Sequence, residues 1–268
     1  MRQPAVADRF YPGSPEALAL TLAELLPASP PSGRQKALAV ISPHAGYMYS
    51  GALAATTFAS VAIPETVILL GPNHRGLGVP IALSTTTWNM PLGSVPVDQE
   101  MCTLVLKHSQ LVKVDELAHK HEHSLEVQIP FLQVLQKKLR IVPLTISHIS
   151  YKDCQALAET LSMAIHESSR DVLIVASSDM NHYESRKTTD KKDGLALQCI
   201  QRMNPFDLYN TVIENRITMC GVIPAVIAIL AAKAQGGKES RLVGHTDSGY
   251  VSGDIGQVVG YAGVVINS

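Results

Sequence analysis

Short, largely apolar runs bounded by turn formers recur along the chain: Ala37–Ile41, Thr66–Leu70, Val79–Ser84, Arg140–Ile146 and Asp171–Ala176. Runs of this length read as buried strands. Helical signals lie between them. Ser14 is placed to cap, and Pro15 to start, a helix that ends before Pro27. Gly51–Ala55 is built of small residues and reads as a helix lying close on the sheet. A helix is expected over Glu100–Lys107, and Leu125–Leu132 reads as an amphipathic helix with Ser124 as its N-cap. Ser150-Tyr151-Lys152-Asp153 is a capping box. Further helices are expected near Gly194–Met203, near Phe206–Asn215 behind Asn204-Pro205, and over the apolar Gly221–Ala234. Strands near Arg241–His245 and Gln257–Ile266 close the pattern, and Pro30–Gly33 and Thr85–Pro96 read as loops. Alternating strands and helices predict one α/β domain over residues 1–268. Its central sheet is expected to be mostly parallel or mixed, with helices on both faces.

Composition narrows the function classes. A hydrophobic content of 46% against 17% charged residues supports a large core and excludes a disordered chain. A net charge of -1 with no basic stripe gives no case for nucleic-acid binding. The longest apolar run, Ile217–Ala232, contains Pro224 and falls short of the ~20 residues a membrane span needs, so it reads as a core helix. The four cysteines form no CxxC pair and no signal-peptide pattern is read, so free thiols and a soluble, cytoplasmic protein are expected.

Candidate chemistry gathers at strand ends. His44, His74 and His182 each follow an apolar strand by a few residues. Open α/β sheets bring such ends together in one crevice. Imidazole is both the commonest metal ligand and the usual general base near neutral pH. His119, His121 and His123 form a second cluster, of which one or two can face the site, His121 and His123 ahead of His119. Glu122 and Glu126 are positioned to orient a ligand histidine. Asp179 either bonds backbone amides at its turn or orients a neighbouring imidazole. Cys220 precedes an apolar helix, where a thiolate is favoured; the alternative is a buried, inert thiol. No nucleotide fingerprint, phosphate loop or nucleophile elbow is found.

Five segments in order carry a resemblance: Pro43-His44-Ala45-Gly46-Tyr47, Leu70-Gly71-Pro72-Asn73-His74, Glu122-His123-Ser124-Leu125-Glu126, Ser177-Ser178-Asp179-Met180-Asn181-His182 and Asn215-Arg216-Ile217-Thr218-Met219-Cys220-Gly221. With these the chain resembles the MEMO family (mediator of ErbB2-driven cell motility), which includes the AmmeMemoRadiSam system protein B proteins. The resemblance implies a fold like the class III extradiol (LigB-type) non-haem iron dioxygenases, in which two histidines and a carboxylate hold iron. Carried over, it implies His44, His74 and Cys220 as metal ligands and His182 as the acid/base. It further implies Asp179 and His123 as catalytic neighbours, with His121, Tyr47 and Asn73 in the pocket. Cys220 stands where the dioxygenases have a carboxylate. A His/His/Cys set is softer and points to Fe(II) or copper, with zinc as a further candidate. Radical-SAM and AMMECR1-like partner proteins are implied by the family name.

The expected function is metal-dependent, O2-linked redox chemistry on a small substrate. The alternative is a peptide- or ligand-binding protein using the same pocket without turnover. Zinc-assisted hydrolysis is a third, weaker reading.

Overall fold

A computed structural model of the protein describes residues 1–28 and 34–268; the loop expected over Pro30–Gly33 lies outside the described residues. In chain order the strands are β1 (Gln35–Lys36), β2 (Ala39–Ser42), β3 (Val61–Ala62), β4 (Thr66–Pro72), β5 (Ile81–Leu83), β6 (Lys113–Val114), β7 (Arg140–Ile146), β8 (Val172–Ser177), β9 (His182–Glu184), β10 (Glu239–Asp247) and β11 (Val258–Asn267). The helices are α1 (Pro15–Leu25), α2 (Ala52–Ala59), α3 (Gln99–His108), α4 (Ile129–Leu135), α5 (Tyr151–Ser168), α6 (Arg186–Gln201), α7 (Pro205–Glu214), α8 (Val222–Ala234) and α9 (Gly249–Ser252).

The main sheet runs β10-β11-β2-β8-β4-β7-β5-β6, with β9 paired to β11 off this path. Its centre, β2-β8-β4-β7, is parallel, and β11 joins β2 antiparallel, so the sheet is mixed as expected. Every residue of β2, β4 and β8 is buried. Successive side chains on a strand point to opposite faces, so both faces of the central sheet are covered. Residues of α2 pack on β2, β10 and β11, while α8 packs on β2, β4 and β8. Apart from Lys233 in its last turn, α8 is apolar and is buried nearly throughout, which is why its sequence shows no polar face.

Several local expectations hold. Ser14 Oγ accepts from the Ala17 amide, with Pro15 at the first helical position. Ser150 Oγ accepts from the Asp153 amide (3.1 Å) and donates to the Asp153 carboxylate (2.6 Å). Two expectations fail. Ser124 does not cap a helix: residues 126–128 form a 3₁₀ turn, and the α-helix begins only at Ile129. Helix α6 starts at Arg186, eight positions before the expected Gly194, because Ser185 caps it (3.3 Å to the Thr188 amide). Its first turns are polar, so no apolar period marked them. Among the described residues no helix is long and apolar enough to cross a membrane.

Candidate metal centre

The strand ends converge as the sequence predicts. His44 lies two residues beyond β2, whose Ser42 is in register with Ser177 at the end of β8. His44 Nδ1 is 2.8 Å from Ser177 Oγ. That hydroxyl donates its one proton to the Ser124 carbonyl (2.6 Å) and accepts from Gln128 Nε2 (2.7 Å). Toward His44 it can therefore only accept. His44 is thus protonated at Nδ1, and its Nε2 lone pair is turned outward. Burial holds the His44 imidazole well below the ordinary range, with neighbouring His123 and His74 adding to the effect. A neutral ring with one free nitrogen is what a metal ligand requires.

His74 follows β4 and is fixed by Glu122. The carboxylate accepts from the His74 amide (2.6 Å) and from His74 Nδ1 (2.9 Å). It also accepts from the amides of His123 (2.8 Å) and Ser124 (2.9 Å). Burial alone would raise the Glu122 pKa, but these bonds overcome it, the one from His74 foremost, and hold it at about 2. A carboxylate behind a histidine's second nitrogen is the usual outer support of a metal ligand. Gly71 makes room for this loop: a Cβ there would sit 2.5 Å from Ser124 Oγ and 2.6 Å from Leu125.

His123 completes the cluster. One ring nitrogen from each of His44, His74 and His123 lies within 4.8 Å of the others. The rings of His74 and His123 stack at 4.6 Å, and Phe10 meets His123 edge-on at 4.8 Å. Burial lowers the His123 pKa to about 4.

Cys220 stands beside this triad. Its Sγ is 3.3 Å from His44 Nε2 and accepts from the Asp179 amide at 3.3 Å. Gly221 permits this approach, since a Cβ there would lie 2.3 Å from the Ser177 carbonyl oxygen. The thiolate expected of a cysteine before a helix is not what the surroundings favour: burial, aided by Asp179, pushes the thiol up.

Asp179 takes a backbone role. Its Oδ1 accepts from the His44 amide (2.7 Å), and burial pushes its pKa up to about 7. It positions the β2 end and does not orient His182. His182 shares the cavity, its amide donating to Thr218 Oγ1 (2.7 Å). Its Nδ1 is buried without a hydrogen-bond partner among the described residues.

The remaining expected residues lie elsewhere. Tyr47 is buried in the core, with its hydroxyl donating to the Val127 carbonyl (2.9 Å) and its ring 4.7 Å from Phe131. Asn73 shapes the turn after β4, accepting from the Gly76 amide (2.9 Å) and donating to the Leu77 carbonyl (2.7 Å). His121 is exposed, its carbonyl accepting from Arg75 Nε (3.2 Å). His119 is a core residue. Ser177, Gln128 and Phe10 are the site residues that sequence reading missed. A polar Gln128 within an apolar stretch was the available signal.

These elements enclose a cavity of about 580 Å³ lined by the three clustered histidines, Asp179, His182, Cys220, Phe10, Tyr183 and Tyr261, among others. Fold and site together define an α/β protein with a metal-capable imidazole cluster at the carboxyl edge of its sheet. The chain belongs to the Memo family, whose model, described as Memo-like protein, matches residues 2–265. A MEMO1 family protein of Aquifex aeolicus (strain VF5) is 41% identical over 267 residues, covering 99% of this chain and 98% of its own. One from Archaeoglobus fulgidus is 40% identical over 265 residues, covering 99% of each. An uncharacterized Escherichia coli K12 protein of known crystal structure shares the fold, with a TM-score of 0.60 over 86% of this chain and 99% of its own, at 13% identity.

Proposed function

We propose that this protein is a metal-dependent oxidoreductase acting on a small molecule in the cavity above His44, His74 and His123. One observation carries the reading: three ring nitrogens lie within 4.8 Å of one another. For His44 and His74 the other nitrogen is already taken, by Ser177 and Glu122. The donor chemistry fits a borderline transition ion, and the Cys220 sulfur 3.3 Å from His44 Nε2 adds a soft donor. Iron(II) or copper is the favoured ion, with zinc next. Iron or copper would supply one-electron chemistry with O2. His182, whose Nδ1 has no partner among the described residues, is the group available to hold or move a proton for substrate. Partnership with radical-SAM and AMMECR1-like proteins rests on the family resemblance alone.

The test is elemental analysis of protein purified without oxygen and without a metal-binding tag. Near-stoichiometric iron or copper is expected, lost in His44→Ala and His123→Ala. Loss in Cys220→Ser as well would make sulfur a ligand, and retention would leave a three-imidazole site. O2 consumption by the loaded protein is the next assay. An ion-free wild type that takes up no added metal would sink the reading. Ligand binding that survives His44→Ala would then favour the binding-protein alternative.

A further inference from the structure

The wall formed by His74, Thr218 and Cys220 has two sides. One faces the cavity described above, and the other faces a second chamber of about 520 Å³. That volume is in the range of small-molecule sites. Its floor is apolar, formed by the buried Ile146, Val212, Ile217, Met219 and Ile223. No residue lining it is acidic, and one arginine, the exposed Arg216, is among the lining residues.

Two features of Arg216 bear on the chamber. Arg2, Arg170 and Arg186 each pair with a carboxylate; Arg216, like Arg9, Arg75, Arg140, Arg202 and Arg241, forms no ion pair among the described residues, which leaves its charge available to a ligand. Its backbone is also left-handed, with φ 49°. It sits just after α7, where the Arg216 amide donates to the Ile213 carbonyl and the Ile217 amide to the Val212 carbonyl. That is a Schellman ending, and its left-handed position normally belongs to glycine. An arginine there carries a conformational cost that glycine would not. What points to a ligand is the combination in one chamber of an apolar floor, no acidic residue and an arginine with no carboxylate partner.

We propose that this second chamber binds a small carboxylate with an apolar body. The carboxylate meets Arg216, whose planar fork suits it, and the hydrocarbon runs inward toward the His74–Cys220 wall. The site does not depend on the metal, so it is tested on ion-free, full-length protein.

The experiment is calorimetric titration with octanoate, octanol and octylamine. Octanoate is expected to bind at sub-millimolar concentration and the other two more weakly. Arg216→Gln should weaken octanoate about tenfold, or about 1.4 kcal/mol, and Arg216→Lys should recover part of the loss. Arg202→Gln, an exposed arginine elsewhere, should change nothing. In methyl-labelled protein, octanoate should shift the Met219 resonance. Three results would each overturn the proposal: octanol binding as tightly as octanoate, octanoate affinity indifferent to Arg216→Gln, or a Met219 methyl that does not move.

Discussion

His119 and His123 leave one turn four residues apart and meet opposite surroundings. His119 is buried with both nitrogens occupied: Nε2 donates to the Ala82 carbonyl (3.0 Å), and Nδ1 therefore accepts from Thr145 Oγ1 (3.0 Å). His123 faces the cavity among other imidazoles. The two glutamates of the same turn divide likewise. Glu122 supports His74 and His123. Glu126 holds the amino-terminal arm, accepting from the Ala5 and Val6 amides and the Tyr11 hydroxyl, and pairing with Arg2 at 2.8 Å. Residue type does not separate chemistry from architecture in this turn. What separates them is whether any hydrogen-bonding capacity is left over once the fold is satisfied.

The largest effect is expected where architecture alone is cut. Glu126→Ala strands the Arg2 guanidinium in the interior and should cost about 3–5 kcal/mol in urea unfolding. A loss under about 1 kcal/mol would mean the arm is dispensable, and the contrast with Glu122 would fall. Acid should act next. Burial lowers the His119 pKa to about 4, so the unfolded chain binds more protons than the fold between about 6.5 and 4. His119's contribution is thus complete above about 6.5 and is lost as pH falls through that window. Unfolding curves across it should flatten in His119→Gln. Glu122→Gln should weaken metal binding 10- to 100-fold, about 1.4–2.7 kcal/mol, by anaerobic titration. Unchanged affinity would make Glu122 as architectural as Glu126. Ser177→Ala removes the acceptor that sets the His44 tautomer and should cost about 1 kcal/mol of metal affinity. His121→Ala, in an exposed residue, should move neither stability nor metal content.

The strands and the histidine-bearing ends of β2 and β4 were legible because each rests on local pattern: an apolar run, then a turn. Ser14 and Ser150 were legible as caps for the same reason. The roles of Glu126, Gln128 and Ser177 were not, because each partner lies about 50 to 120 positions away and is brought near only by the sheet. Tyr47 illustrates the converse. It lies in a motif with His44, yet a π-type turn directs it into the core. Asp179 was read as bonding the amides of its own turn or orienting an imidazole; its carboxylate instead accepts from the His44 amide beyond the neighbouring strand.

Strands β2 and β4 are the first two strands of the main sheet in sequence but are not neighbours in it; β8, some hundred residues later, is hydrogen-bonded between them. His44 and His74 therefore have no fixed relation until β8 has inserted. During synthesis the early third of the chain cannot assemble the site, however long it waits. In small zinc modules the ion organises the polypeptide. Here the dependence runs the other way: the sheet has to be complete before the imidazoles of His44 and His74 can meet an ion together.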